Sequence, residues 1–262
     1  MKKVIAMVLA VALMLCTLGL GYVVNANESC QIYVTIVNKE QLVVTQKAVN
    51  VTDVDGDTLL TVNDALYIAH ENYYDGGAQA GYGYYTGDYE LSMSALWGDK
   101  SGSFGYYKNN NSCMSLADTV ADGDYVTAFV YASSTWSDVY SYFDVNQMEC
   151  GVKDEISLTL LSSGYDAAWN PITVPVANAT ITVNGTKTNY ITDSEGKVTI
   201  KLDKVGTNII SATSESSVLV PPVCMVVATS DTNTSDMSIM AVVATLCVLI
   251  GVVMKNRKVY EK

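Results

Sequence analysis

Asp53, Asp55 and Asp57 stand at alternate positions in the stretch Asp53-Val-Asp-Gly-Asp-Thr-Leu-Leu-Thr-Val-Asn-Asp64. Carboxylates held this close repel one another unless a cation sits among them. Ca²⁺ suits the role because it takes several oxygens in a flexible shell. The spacing would supply them: Asp53, Asp55 and Asp57 at loop positions 1, 3 and 5, the Leu59 carbonyl at 7, Thr61 at 9 and Asp64 at 12. Ca²⁺ is therefore the expected cofactor. Thr58 stands at position 6, where glycine usually makes the sharp turn, so binding should be weakened or the loop reshaped. Catalytic chemistry has less to work with. His70 is the only histidine, which leaves one candidate base for any Ser-His-Asp or Cys-His set. A paired-carboxylate glycosidase needs a larger core and cleft than two short modules provide. The expectation is a non-enzyme, with His70 a capped or half-buried helix histidine.

A second set of residues offers a surface. The chain has 18 Tyr against three Phe. Tyr82, Tyr84, Tyr85, Tyr89, Tyr106 and Tyr107 fall near Trp97 and Trp136 in sequence. Tyr and Trp present a rigid apolar face with a polar tip. Tyr84, Tyr85, Trp97, Tyr106 and Tyr107 are accordingly the candidate platform for a glycan, a host protein or a small-ring ligand. The same residues also suit a small sheet that uses Tyr as half-buried core.

The elements that must hold these residues can be read around them. Ala65–His70 continues the acidic loop as a helical apolar pattern, and Asp75-Gly76-Gly77 ends it. Gln31–Val37 and Gln41–Val51 read as strands before the loop. After it come the Gly- and Tyr-rich segment 81–87, a strand near Ser103–Tyr107 and turns at Asn109–Asn111 and Asp122–Asp124. Tyr125–Tyr131 and Val139–Phe143 alternate as closing strands of that sheet. From Lys153 the pattern is all-β. Ile156–Leu160, Ala179–Val183, Lys197–Leu202 and Asn208–Ala212 alternate, with turn signals at Asn184-Gly185 and Asp193–Gly196. That predicts a small sandwich.

The ends predict a location. Lys2 and Lys3, the apolar run 4–15 and Val24-Asn25-Ala26 read as a signal peptide over 1–26. Residues 237–254 form an uncharged apolar run, read as a membrane-spanning helix, and 255–262 a basic tail that stays cytoplasmic. Residues 225–236 read as a Ser/Thr-rich stalk. The expected domains are 27–148 and 149–224. Residues 27–236 hold 26 acidic residues and nine lysines, a formal charge of −17, which argues against nucleic acid as a partner. The membrane is the expected partner through the C-terminal helix. Cys30, Cys113, Cys150 and Cys224 would lie outside, where disulfides are permitted, in any of three pairings. With one His and no Cys-x-x-Cys, zinc is not expected.

Four resemblances follow from these motifs. The stretch from the acidic loop through Leu96-Trp97-Gly98, Phe104–Asn110 and Asp122-Gly123-Asp124-Tyr125-Val126 resembles bacterial surface domains similar to the C-terminal domain of transcobalamin. That resemblance, over roughly 31–144, implies an α+β domain in which one helix packs on a small sheet, and tempts a corrinoid reading of the ligand. The acidic loop resembles the EF-hand-like loop of dockerin modules, which use Asp at position 12. A dockerin needs two such loops and this chain has one, so cohesin binding is not implied. Residues 153–213, with Ala179–Gly185 and Thr192–Ile200, resemble bacterial Ig-like or prealbumin-like repeats, which implies an Ig-like β-sandwich acting as spacer or adhesive module. The C-terminus resembles the sorting signal of Gram-positive wall proteins but lacks Leu-Pro-x-Thr-Gly, so a retained membrane anchor is expected. Together these lead to a calcium-stabilised, membrane-anchored cell-surface binding or adhesion protein of a Gram-positive bacterium. A purely structural envelope component is the alternative.

Overall fold

The structure, a computed structural model, describes residues 29–88, 90–168 and 170–230. The expected signal segment, membrane span and basic tail lie outside these residues, as does Tyr89. Among the described residues no helix is long and apolar enough to cross a membrane. The described residues are mostly β-sheet, with 54% in strands and 8% in helix, so sheets set both cores. It divides into two compact units between Asp138 and Val139.

The first unit contains β1 (Ser29–Asn38), β2 (Gln41–Thr52), α1 (Val62–Tyr73), α2 (Gly77–Gly81), β3 (Gly83–Gly87), β4 (Glu90–Ala95), β5 (Phe104–Lys108), β6 (Asn111–Ser112) and β7 (Tyr125–Val130). Its main sheet runs β2-β1-β7-β5-β6, and β3 and β4 form a separate ribbon. The β1–β7 pair is parallel, with Tyr33 opposite Tyr125 and Val37 opposite Phe129. A parallel pair needs a long crossover, and that crossover carries the acidic loop and α1. Helix α1 buries Val62, Ala65, Leu66 and Ala69, spaced three and four apart as one helical face requires. That face meets Ile32, Val34, Ile36, Val49, Val51, Val126 and Ala128 in one core. Burying Leu66 alone contributes about 2 kcal/mol.

The second unit contains β8 (Val139–Phe143), β9 (Gln147–Gly151), β10 (Glu155–Tyr165), β11 (Pro171–Pro175), β12 (Thr180–Val183), β13 (Thr186–Ile191), β14 (Lys197–Lys201), β15 (Gly206–Thr213), β16 (Leu219–Val220) and β17 (Cys224–Thr229). One sheet runs β11-β10-β8-β16, with β14 also paired to β10; the other runs β13-β12-β15-β17-β9. Leu158 and Leu160 of the first sheet share a core with Ile181, Ile210 and Val226 of the second. The alternation on β10, with Ile156, Leu158 and Leu160 buried, is the period-two pattern of a half-buried strand. Asn184 and Gly185 have φ of 50° and 77°, the left-handed pair of a tight hairpin turn.

Three expectations change. Val139–Phe143 does not close the first sheet: as β8 it pairs with β10 and β16, because Phe143 is buried in the second core. The second unit therefore begins before residue 149. The stalk does not begin at 225. Residues 224–229 form β17, which buries Cys224, Val226 and Ala228 between β15 and β9. The four expected outer cysteines are free thiols. In the second unit Cys150 is level with Ala228, four residues along β17 from Cys224. At about 3.3 Å per residue this exceeds the roughly 7 Å a disulfide spans. In the first unit Cys113 bonds to Tyr106, which lies level with Ala128 and so with Ile36, six residues along β1 from Cys30. Burial pushes the Cys113 and Cys224 thiols up to about 12, the state of packed, unreactive thiols.

Candidate functional site

The acidic loop leaves β2 at Thr52 and enters α1 at Val62. Carboxylate oxygens of Asp53, Asp55 and Asp57 lie within 4.8 Å of one another, all three side chains exposed. The backbone organises them. Asp53 accepts from the amides of Gly56 at 2.7 Å and Thr58 at 3.0 Å. Asp57 accepts from Leu59 N–H at 2.7 Å. Gly56 and Thr58 both take left-handed φ, 83° and 74°. Thr58 thus makes the turn expected of glycine, at a cost of about 1–2 kcal/mol for a side chain with a Cβ. The electrostatics are uneven across the loop. Hydrogen bonds from Gly56 and its neighbours hold the Asp53 carboxyl below its ordinary value. Burial, then the Asp64 and Asp57 carboxylates, raises that of Asp55. A cation among the three relieves that repulsion, and an all-oxygen donor set fits a hard ion.

The other three sequence candidates sit beside the triad. Leu59 is exposed at 48%. Thr61 is the N-cap of α1, and its hydroxyl accepts from Asp64 N–H at 3.2 Å. Asp64, fully buried, answers with Oδ2 accepting from Thr61 N–H at 2.8 Å and Thr61 Oγ1–H at 2.7 Å. Its Oδ1 accepts from Val54 N–H at 2.9 Å. This reciprocal capping box satisfies orphan amides of the first turn. The structure thus gathers Asp53, Asp55 and Asp57 and gives Asp64 a capping role next to them.

Asn63 is the residue that sequence reasoning passed over. It is fully buried. Its Nδ2 donates to Asp55 Oδ2 at 3.2 Å, and its Oδ1 accepts from Tyr82 O–H at 3.0 Å. Tyr82 stacks on His70 with ring centroids 5.0 Å apart. His70 is fully buried. Its Nδ1 lies 2.6 Å from the Leu66 carbonyl and its Nε2 accepts from Trp97 N–H at 3.1 Å. A carbonyl only accepts and an amide only donates, so the imidazole is neutral with its proton on Nδ1. Burial lowers its pKa from 6.5 to about 4, against the small opposing effect of the Leu66 bond. The acidic loop and the Trp97 turn are joined by one chain of contacts through buried Asn63, Tyr82 and His70. The sequence signal was an Asn just inside the helix that carries the only His.

The five aromatic candidates do not share one face. Tyr106 packs on the first core with Trp97. Tyr107, its neighbour on β5, points the other way, with its ring 6.1 Å from that of Phe129, as alternation on a strand requires. A Cβ on Gly105 would lie 2.2 Å from the Phe129 ring, so glycine is needed beneath it. Tyr84 and Tyr85, at 40% and 54%, are exposed on the β3–β4 ribbon. Trp97 instead meets Tyr74 edge-on at 4.9 Å. No family model matches this chain, and no curated protein matches it.

Proposed function

We propose that the chain is a calcium-stabilised cell-surface binding or adhesion protein without catalytic activity. The observation that carries this is the convergence of Asp53, Asp55 and Asp57 within 4.8 Å of one another, at the mouth of the helix that packs the first core. Asp53, Asp55 and Asp57 would hold Ca²⁺, with Leu59, Thr61 and Asp64 completing the twelve-residue set. The ion would neutralise the loop and fix the start of α1, while Asn63 ties Asp55 to the aromatic interior. In this reading the first unit is a transcobalamin-C-terminal-like α+β module and the second an Ig-like spacer. Residues 237–254 would anchor the chain in the membrane of a Gram-positive bacterium, with the ectodomain outside. The non-catalytic reading draws support from His70, both of whose nitrogens are engaged inside the fold. The alternative, a purely structural envelope component, draws support from the division of the tyrosines between two faces. Corrinoid capture has no such support.

The test is thermal unfolding of the full chain during calcium titration, with Mg²⁺ as the comparison ion. The expected result is a rise in the first unit's melting point as Ca²⁺ increases, reversed by chelator and absent in Asp53→Ala/Asp57→Ala. Ligand binding to the native state stabilises by mass action, about 2.7 kcal/mol at a hundredfold excess over Kd. A melting point indifferent to millimolar Ca²⁺ rejects the calcium reading.

A further inference from the structure

The turn between β12 and β13 carries the chain's one Asn-Gly step, Asn184-Gly185. Val183 pairs with Thr186 across it, so these two residues are the whole loop. In such a step the glycine nitrogen can attack the carboxamide of the preceding asparagine, since glycine has no Cβ to hinder the approach. The surroundings add no barrier: a Cβ at Gly185 would meet nothing within 4 Å. The fold instead holds the carboxamide against β15. Ile209 N–H donates to Asn184 Oδ1 at 2.8 Å, and Asn184 Nδ2 donates to Asn208 Oδ1 at 3.0 Å. Asn208 is buried, and its own Nδ2 donates to the Lys204 and Gly206 carbonyls at 3.1 and 3.0 Å. Each orientation is forced. An amide N–H only donates and a carbonyl only accepts, so neither carboxamide can be turned over without setting like against like.

We propose that Asn184 is a modification site, a deamidation step that the folded second unit holds closed and that unfolding opens. The reaction is intramolecular. The Gly185 nitrogen bonds to Asn184 Cγ, the Cγ–Nδ2 bond breaks, and Nδ2 leaves as ammonia with the proton that the Gly185 nitrogen gives up. The five-membered imide then takes up one water. Opening at Cγ leaves aspartate at 184, and opening at the main-chain carbonyl leaves isoaspartate. One water is consumed, one ammonia is released, and nothing is oxidised or reduced. For Gly185 N to reach Cγ, the carboxamide must turn from β15 and release both hydrogen bonds. Each is worth a factor of about five in population, so the folded chain reacts about twenty-five-fold more slowly. The product does not refit. A carboxylate oxygen stands where Nδ2 stood, against Asn208 Oδ1, and Asn208 cannot turn to meet it without abandoning Lys204 and Gly206. Isoaspartate adds a main-chain carbon to a two-residue loop and upsets its register. The turn therefore keeps a lasting record of having opened. The inference concerns the second unit alone and is independent of the calcium reading.

The test incubates the full chain in detergent at mildly alkaline pH, folded and in graded urea, and follows the peptide containing Asn184 by mass spectrometry. Fragmentation separates aspartate from isoaspartate. The expected rate in full urea is about twenty-five times that of the folded chain. Between these limits it should rise in step with the unfolded fraction of the second unit, which needs no variant. Asn208→Ala removes one of the two bonds and should raise the folded rate about fivefold, with the rate in full urea unchanged. Equal rates in the folded and unfolded chain, or a faster folded rate, overturn the protection by β15. No ammonia loss at 184 in urea overturns the modification site. Deamidated chain, purified and refolded, should show a lower urea midpoint for the second unit and the same midpoint for the first. An unchanged second midpoint overturns the claim that the product does not refit.

Discussion

Burial of neutral His70 should make the first unit lose stability as pH falls from 6.5 toward 4. The folded imidazole has a pKa of about 4 against 6.5 for the free group. Between those values the unfolded chain binds a proton that the folded chain refuses. Stability from this residue is therefore complete above pH 6.5 and is lost as pH falls toward 4. At about 1.36 kcal/mol per unit, the loss approaches 3 kcal/mol, on the order of 10 °C in melting temperature for a unit of this size. The groups facing the ring are the aromatic rings of Tyr74, Tyr82 and Trp97, so no neighbouring charge offsets the effect. Asp55 acts in the opposite sense. Its raised pKa makes its folded state more costly as pH climbs through that value, so saturating Ca²⁺ should be present to hold it ionised. The assay is urea unfolding at pH 7.0, 6.0, 5.0 and 4.3, followed by near-ultraviolet circular dichroism of the aromatic cluster. His70→Gln, which keeps an acceptor for Trp97 N–H, should flatten the slope over this range. An equal slope in the variant, or an imidazole that titrates near pH 6.5 by NMR, would refute the reasoning.

Thr58→Gly relieves about 1–2 kcal/mol of left-handed strain and adds about 0.5–1 kcal/mol of unfolded-state entropy. A small net stabilisation and tighter Ca²⁺ binding are expected in the same calcium titration. Asp64→Ala removes three hydrogen bonds at a buried cap and should cost roughly 2–3 kcal/mol, measured by urea midpoint with and without Ca²⁺. Gly98→Ala drives a Cβ against the Tyr74 hydroxyl; Tyr74→Phe added to it should restore part of the lost stability, and strict additivity of the two changes would reject the contact. Cys113 and Cys224 should resist a thiol reagent at pH 8 until urea unfolds the chain, and the melting point should be the same with and without reductant.

Local periodicity made much of the fold readable. The strands at 31–37 and 41–51, the helix after the acidic loop and the Asn184-Gly185 hairpin each have a pattern confined to neighbouring residues. What was not readable depends on partners distant in sequence. Val139–Phe143 alternates as any half-buried strand does, and only Leu160 and Phe143 meeting across β10 and β8 decide its sheet. Residues 225–229 look like the start of a stalk because Ser and Thr follow them, yet Val226 fills the second core. At the site, ligand spacing found the carboxylate triad, since that chemistry is local. The link Asp55–Asn63–Tyr82 joins residues up to 27 positions apart, and the clustering of Tyr in sequence hid the fact that Tyr106 and Tyr107 face opposite ways.

The position of β17 has a mechanical consequence. It is the last described strand, and it lies inside its sheet, hydrogen-bonded to β15 on one side and β9 on the other. An edge strand under tension peels away one hydrogen bond at a time. A tug applied beyond Thr229 meets two ladders at once and must also drag Cys224 and Val226 out of the core. The unit would therefore transmit a tensile load without fraying at its exit, and give way only when the whole sandwich unravels.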